Sequence, residues 1–261
     1  MGLADSRAGR WSISIIGIVI FFSVWELVTT YLEWFHPTIL PAPTGVLSEF
    51  QRVQEIILRN TPETIMAAGL GFIIAVSLAI IIAILFTLND TVERALMPFV
   101  VGGNSIPRVA LAPLFVFYLG EGITALYLLA AWIAFFPMFI NAFDGFARID
   151  VDQRKMLSLY NASTWQEYRY VRIPNGLPRV FDGMKISIIL AMIGAIVGEF
   201  VIVGGGLGNL ALIAMNSFNT SLVFATVIVA GLISTIAIFV VYLIQVRVVF
   251  WEDVNFFTAE M

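Results

Sequence analysis

Asp144 to Lys185 reads DGFARIDVDQRKMLSLYNASTWQEYRYVRIPNGLPRVFDGMK, and this stretch decides how the rest of the chain is read. It is the longest polar segment of a greasy protein. It holds seven of the fourteen basic residues: Arg148, Arg154, Lys155, Arg169, Arg172, Arg179 and Lys185. Apolar segments long enough to cross a bilayer lie on both sides of it. A basic segment between spans is a surface held on one side of a membrane, and we read it as a docking surface for a soluble partner.

Composition agrees with a membrane protein. Hydrophobic residues make up 60% of the 261 and charged residues 12%, with a mean hydropathy of +0.94. A soluble domain has about 45–50% apolar and about 25% charged residues. The net charge of −4 is thinly spread, which argues against nucleic-acid binding and acidic-tail behaviour. Without cysteine there are no disulfides, thiolate metal sites or thiol catalysis. Arg7 and Arg10 precede the first apolar run with no small-residue cleavage site after it, so an uncleaved first span is expected rather than a signal peptide.

A helical span needs roughly 20 mostly apolar residues. Six stretches qualify: 12–32, 64–88, 97–119, 122–143, 184–203 and 221–245. Gly102, Gly103, Pro107, Arg108 and Pro113 interrupt the third. Such breaks survive at membrane depth where neighbouring protein or a water-lined path satisfies the freed backbone, so this span is expected inside the protein. The fold class expected is an all-α integral membrane protein. Its expected divisions are an N-terminal span with an outer amphipathic helix (1–63), a core (64–250) and a tail (251–261). With both termini cytoplasmic, the inner side collects Arg7, Arg10, Arg94, the seven loop residues and Arg247, while Arg52 and Arg59 stay outside.

Within the outer segment, Val46, Leu47, Phe50, Val53, Ile56 and Ile57 recur at helical spacing, with Thr44 as the expected cap. Within the basic segment, Asp150 or Asp152 can cap a first helix over Gln153 to Tyr160. Asn161 then stands where a left-handed residue is wanted. Ser163 and Gln166 form a capping box for a second helix, Thr164 to Arg172, which Pro174 is expected to end. Trp165 and Tyr168 are expected on one face of it, with Arg169 and Arg172 beside them. Aromatic and Arg side chains together anchor protein interfaces; the competing role is headgroup and anionic-lipid contact.

The segment Asn161-Ala-Ser-Thr-Trp-Gln-Glu-Tyr-Arg-Tyr-Val-Arg-Ile-Pro174 resembles the "EAA" loop of the inner-membrane permease subunits of ABC importers. Ala162, Ser163, Trp165, Gln166 and Ile173-Pro174 carry the match. Two departures stand out: Lys155-Met156-Leu157 replaces Glu-Ala-Ala, and Asn161 replaces Gly. Leu40 to Val46, Ser105 to Gly120, Phe135 to Phe146 and Val197 to Leu210 resemble the nitrate/sulfonate/taurine branch, so the likeness covers residues 37–250. It implies six spans with a cytoplasmic two-helix coupling loop, a second permease copy, and a pair of ATPases gripping Asn161, Ala162, Ser163, Thr164, Trp165, Gln166, Tyr168, Arg169, Arg172 and Pro174. An extracytoplasmic binding protein would deliver the solute. The branch implies a sulfonate, taurine or nitrate; similar permeases carry thiamin-type pyrimidines, riboflavin-like compounds or aromatic acids.

The chain has no GxxxxGK[ST] phosphate cradle, and its only lysines, Lys155 and Lys185, are not in a Gly-rich turn. Gly204 to Asn209 lacks the strand before and the helix after that frame a nucleotide loop and falls on the outer side, so it is expected to be a packed or flexible turn. ATP and its Mg ion therefore belong on the partner ATPase, and no cofactor, metal or catalytic residue is expected here. Arg108 is a lone cation in a span, a cost on the order of 2.5–3.5 kcal/mol on insertion scales. With Asn104, Ser105 and Glu199, its candidate counter-ion, it marks an expected translocation path for an anion; the alternatives are a structural ion pair or a guanidinium snorkelling toward the near surface. Glu26 is expected near an interface or at a helix contact, and His36 in a solvated loop. A secondary transporter would need midplane coupling carboxylates and usually an internal repeat; Glu199 is a possible coupling site, but the sequence shows no convincing repeat. An intramembrane enzyme would need clustered His, Asp or Ser groups, which one loop histidine does not supply.

Overall fold

Apolar residues in unbroken runs, with no water to satisfy the backbone, leave helix as the economical structure. A computed structural model of the chain describes residues 7–32, 34–202 and 204–252, and every regular element among them is helical. The termini before Arg7 and after Glu252 lie outside the described residues, as does most of the expected tail; the side chains of Arg7 and Arg10 are likewise outside the description.

Helix α1 (Arg7–Glu26) runs into a π-helical turn, Leu27–Tyr31. It is followed by α2 (Pro43–Leu88), α3 (Asp90–Ser105), a 3₁₀ turn (Arg108–Leu111) and α4 (Ala112–Leu119). Then come α5 (Ile123–Ala147), α6 (Val151–Leu159), α7 (Thr164–Glu167), α8 (Ile173–Val201), α9 (Leu207–Asn216) and α10 (Thr220–Val248). Among the described residues, four helical stretches are long and apolar enough to cross a membrane: Pro43–Leu88, Ile123–Ala147, Thr164–Val201 and Thr220–Val248. A fifth is the pair Thr91–Ser105 and Arg108–Leu119, bent by 86° at Ser105–Arg108. The expected span 97–119 is therefore a broken one, because Pro107 lacks the N–H that would continue the ladder. The expected first span, 12–32, falls on α1 and the π-helical turn that continues it. Helix α9, short and apolar, was not foreseen.

The chain divides into two compact units. One comprises the chain up to Asn60 with Leu210–Val229. Here Glu26 receives the Thr44 N–H at 3.1 Å and the Thr44 hydroxyl at 2.7 Å. A carboxylate brought from α1 thus caps α2, where Thr44 itself was expected to; a negative charge suits a helix N-terminus. Trp25 donates its indole N–H to Pro41 O at 3.1 Å and tilts against Phe224 with centroids 5.7 Å apart. Of the expected apolar stripe, Val46 and Ile57 are buried and Phe50 and Val53 half-buried, whereas Leu47 and Ile56 are exposed. It does not end before the next span, because α2 absorbs the kink at Val53 and Pro62 and continues.

The other unit comprises Thr61–Asn209 and the chain from Ala230 on. Its centre is the antiparallel pair α5 and α8. Lipid supplies no hydrophobic drive to join helices, so they associate through close packing of small residues. A Cβ on Gly176 would lie 2.6 Å from the Phe146 ring, and one on Gly145 would lie 2.8 Å from the Gly176 carbonyl, so only glycines allow this crossing. Further along, Ala130 and Ala134 of α5 and Ala191 and Ala195 of α8 are buried together with Ala67, Ala68 and Ala75 of α2. Ser187 donates to the Ala134 carbonyl at 3.0 Å inside this core. Phe86, Met138, Phe139 and Phe146 fill the end of the unit nearer the basic loop. The broken span packs on α5 through Ala112, Phe115 and Ile133. Its other side is open in the single chain, where Phe99, Phe117 and Tyr118 are exposed, so the expected interior position does not hold for one chain.

Candidate functional site

The basic loop folds as two capped helices. Asp150 accepts the Asp152 N–H at 2.8 Å and starts α6. Asn161 adopts φ 49°. The Asn161 N–H reaches Ser158 O at 3.2 Å and the Ala162 N–H reaches Leu157 O at 3.0 Å, the Schellman pattern that satisfies the last carbonyls of a helix. The Ser163–Gln166 capping box is complete: Gln166 N–H donates to Ser163 Oγ at 3.3 Å, and Ser163 N–H donates to Gln166 Oε1 at 2.8 Å. Pro174 does not end the second helix. A π-helical turn over Tyr168–Arg172 links α7 to α8, and the helix runs from Thr164 to Val201. The wide turn lets Ile173 N–H bond back to Tyr168 O, and such an adjustment accommodates the N–H that Pro174 lacks.

The π-turn also separates residues that were expected together. Tyr168 points inward and is buried, its hydroxyl donating to Thr87 Oγ1 at 2.6 Å, whereas Trp165 is 67% exposed. Arg172 donates to Glu167 at 2.6 Å and to the Phe146 carbonyl at 2.8 Å, with its guanidinium 5.1 Å from the centre of the Tyr168 ring. Phe146 lies in the last turn of α5, whose carbonyls lack partners within the helix. Tyr168 and Arg172 thus brace the loop against the ends of α2 and α5. Asn175 adds a bond to Gln153 at 2.8 Å, tying α8 to α6. Ser163, Thr164, Trp165, Gln166 and Arg169 face outward, Asn161 is exposed beside them, and Ala162 and Pro174 are half-buried. Lys155 pairs with Asp152 at 3.1 Å.

At the broken span, Asn104, Ser105 and Arg108 flank the bend. Ser105 returns its hydroxyl to Val101 O at 3.0 Å. Arg108 donates to Ile133 O at 3.0 Å and lies 5.9 Å from the centre of the Phe136 ring. That carbonyl is available because Pro137, four residues on, has no N–H to offer it. Glu199 is not the counter-ion of Arg108; among the described residues no carboxylate pairs with that guanidinium. The Glu199 carboxylate accepts the Gly208 N–H at 2.7 Å and is 1% exposed. Leu207 N–H donates to the buried Thr64 hydroxyl at 2.8 Å, so α2, α8 and the start of α9 meet around one carboxyl. Of the Gly204–Asn209 run, Gly204–Gly206 form a turn packed against that carboxyl, and Leu207–Asn209 begin α9, a helix that was not expected there. Gly206 has φ +98°, and a Cβ there would land on the Glu199 carboxyl group.

Residues 71–251 match the family described as binding-protein-dependent transport system inner membrane component. The chain belongs to that family. The permease is 33% identical over 239 residues to a riboflavin transport system permease of Chloroflexus aurantiacus, covering 91% of this chain and 89% of the relative. It is 28% identical over 211 residues to a formylaminopyrimidine transport permease of Halalkalibacterium halodurans, covering 80% of this chain and 84% of the relative. It is 25% identical over 248 residues to a putative aliphatic sulfonates transport permease of Bacillus subtilis, covering 93% and 88%. Its fold resembles a chain of an inward-facing MetNI methionine ABC transporter, with a TM-score of 0.57 and 17% identity, over 73% of this chain and 98% of that one. The permease is thus the translocation subunit of an ABC importer, a multi-pass inner-membrane component that works with separate ATPase subunits and a solute-binding protein.

Three outward residues of the permease loop escaped the sequence reading. Leu159 and Tyr160 are 85% and 81% exposed, and Tyr170 is 68% exposed. Leu159 and Tyr160 could have been found, since they immediately precede the left-handed Asn161, where a helix end turns its last residues outward. Tyr170 could not, because its direction depends on the π-turn.

Proposed function

We propose that this permease docks its ATPase through the 144–185 loop, with both termini cytoplasmic and two copies of the chain forming the membrane domain. The observation that carries the reading is the division of labour in the loop. Tyr168 and Arg172 brace it from inside, while Trp165, Tyr160 and Leu159 stand outside without cover. A surface of that kind transmits force, because the groups that make contact are joined through short hydrogen bonds to the ends of the spans. ATP and Mg, bound by the ATPase, would close that subunit pair; the loop would follow as a lever and the spans would rock to admit solute. A second copy of the chain is supported by the broken span, whose interruption at membrane depth is tolerated against neighbouring protein or a water-lined path, and whose side bearing Phe99, Phe117 and Tyr118 is exposed in the single chain.

The test is a mild-detergent pull-down of the tagged permease with mass spectrometry of what is retained. Trp165→Ala is expected to cut the retained ATPase about tenfold, in keeping with loss of a central aromatic anchor of about 1–2 kcal/mol, without lowering the yield of permease. Unchanged retention would remove the loop from the docking surface.

The solute we propose is a small anion such as a sulfonate, taurine or nitrate. The support is Arg108, a guanidinium at membrane depth with one backbone carbonyl as partner and no paired carboxylate among the described residues. Asn104 and Ser105 would line the same path. Glu199 leaves it, since its carboxyl is held by the turn. Arg108→Gln is expected to lower uptake of an anionic solute roughly tenfold or more, in line with a charge-assisted hydrogen bond of about 1.5–3 kcal/mol. Uptake by reconstituted importer in vesicles measures it. Unaltered anion uptake in the variant would return Arg108 to a purely structural role and favour a pyrimidine or riboflavin-like solute.

A further inference from the structure

We propose that a pocket of about 360 Å³ between α6 and α7 receives a carboxylate side chain of the ATPase, and that Arg154 is the residue that selects it. The inference rests on the docking reading above. The pocket is lined by Arg154, Leu157 and Ser158 of α6, Asn161 and Ala162 of the turn, and Glu167 of α7.

Its charge balance is what assigns the occupant. Glu167 is neutralised by Arg172 at 2.6 Å, and Lys155 is paired with Asp152 at 3.1 Å. Arg148 and Arg179 share Asp144, and Lys185 pairs with Asp182 at 3.1 Å. Arg154 has no hydrogen-bond or ion-pair partner among the described residues, so the pocket carries one uncompensated positive charge. The Asn161 carboxamide is also without a partner there, and it adds a neutral donor to the guanidinium. Ser158 spends its hydrogen on Lys155 O at 2.7 Å. A guanidinium fork and an amide N–H in a small cleft suit a planar carboxylate, which Arg can engage through two parallel bonds. Uncovered apolar and aromatic surface on Leu159, Tyr160 and Trp165 lies on neighbouring residues, giving the charged pocket the apolar surroundings of a protein interface.

An anionic lipid headgroup offers similar chemistry. The pairing pattern favours the protein. Within the loop, Arg148, Arg179 and Lys185 are paired with carboxylates, whereas Arg154 of α6 and Arg169 of the π-turn carry no ion pair among the described residues. Of these two, Arg154 lines the cleft, and a headgroup held by a span-flanking cation such as Arg169 has no use for a cleft.

The experiment places a photo-crosslinking residue at Ser158 of the full permease in native membranes, identifies the crosslinked product, and measures ATPase retained by wild type and by Arg154→Glu. The expected result is a crosslink to an ATPase segment containing Asp or Glu. Retention should fall at least tenfold in Arg154→Glu and be restored when that acidic residue is changed to Arg. Equal retention by wild type and Arg154→Glu overturns the pocket assignment and leaves docking intact. Crosslinks confined to phospholipid overturn it in favour of the headgroup. Failure of wild type to retain any ATPase overturns the docking reading, and the pocket assignment with it.

Discussion

Gly206→Ala is expected to remove most of the folded permease from the membrane. Two costs coincide at this position. The backbone sits at φ +98°, where an L side chain carries about 1–3 kcal/mol of strain. The added methyl would also occupy the space of the Glu199 carboxyl group. That group has little freedom to withdraw, because it is 1% exposed and holds the Gly208 N–H at 2.7 Å. Displacing it would leave a buried carboxyl without its donor, a penalty of about 1–3 kcal/mol or more. The sum is a large part of the roughly 5–15 kcal/mol that holds a typical protein folded. Fluorescence-detected size exclusion and thermal unfolding in detergent measure it against Gly204→Ala. At Gly204 the nearest atom to a new Cβ is Glu63 Oε1 at 3.8 Å, so that variant should match wild type. Equal behaviour of the two variants would mean that the turn yields and that Glu199 is not enclosed.

Arg172→Met is expected to leave the permease able to bind its ATPase but to lower ATP-driven uptake by tenfold or more. The substitution keeps much of the apolar stem and removes the guanidinium. Glu167 loses its partner at 2.6 Å, and the Phe146 carbonyl at the end of α5 loses its donor at 2.8 Å. Truncating one partner of a largely buried ion pair costs about 3–5 kcal/mol. The partial exposure of this pair, 14% and 27% of the side chains, reduces that to about 2–3 kcal/mol after screening. The outward face with Trp165 is left in place, so contact survives while transmission to the spans is lost. Trp165→Ala should show the reverse order, with loss of ATPase retention first. Retained ATPase and uptake, measured on both variants, separate the two roles. Arg172→Lys is expected to fall between wild type and Met, because one ammonium cannot reproduce the guanidinium fork.

Much of the architecture could be read from residues close together in the chain. Runs of apolar residues located the long spans, since a bilayer demands a hydrophobic length. Asp150, Asn161, Ser163 and Gln166 marked the ends of the loop helices, since caps are local hydrogen bonds. Pro107 marked the break in the third span. The same loop, with its likeness to importer permeases, pointed to the family that residues 71–251 match. The readings that failed share a cause. Whether Pro174 stops a helix depends on a π-turn that tertiary packing stabilises through Tyr168 and Thr87, eighty-one positions apart in the chain. Thr44 is capped by Glu26 because α1 brings that carboxylate to it. Arg108 passes over Glu199 for the Ile133 carbonyl, a choice set by Pro137 on another helix. Spacing along the chain determines how long a helix is and where it is capped, because those interactions close within a few residues. Which face turns inward, and which partner a charge finds, is decided by helices distant in sequence, whose approach no local pattern encodes.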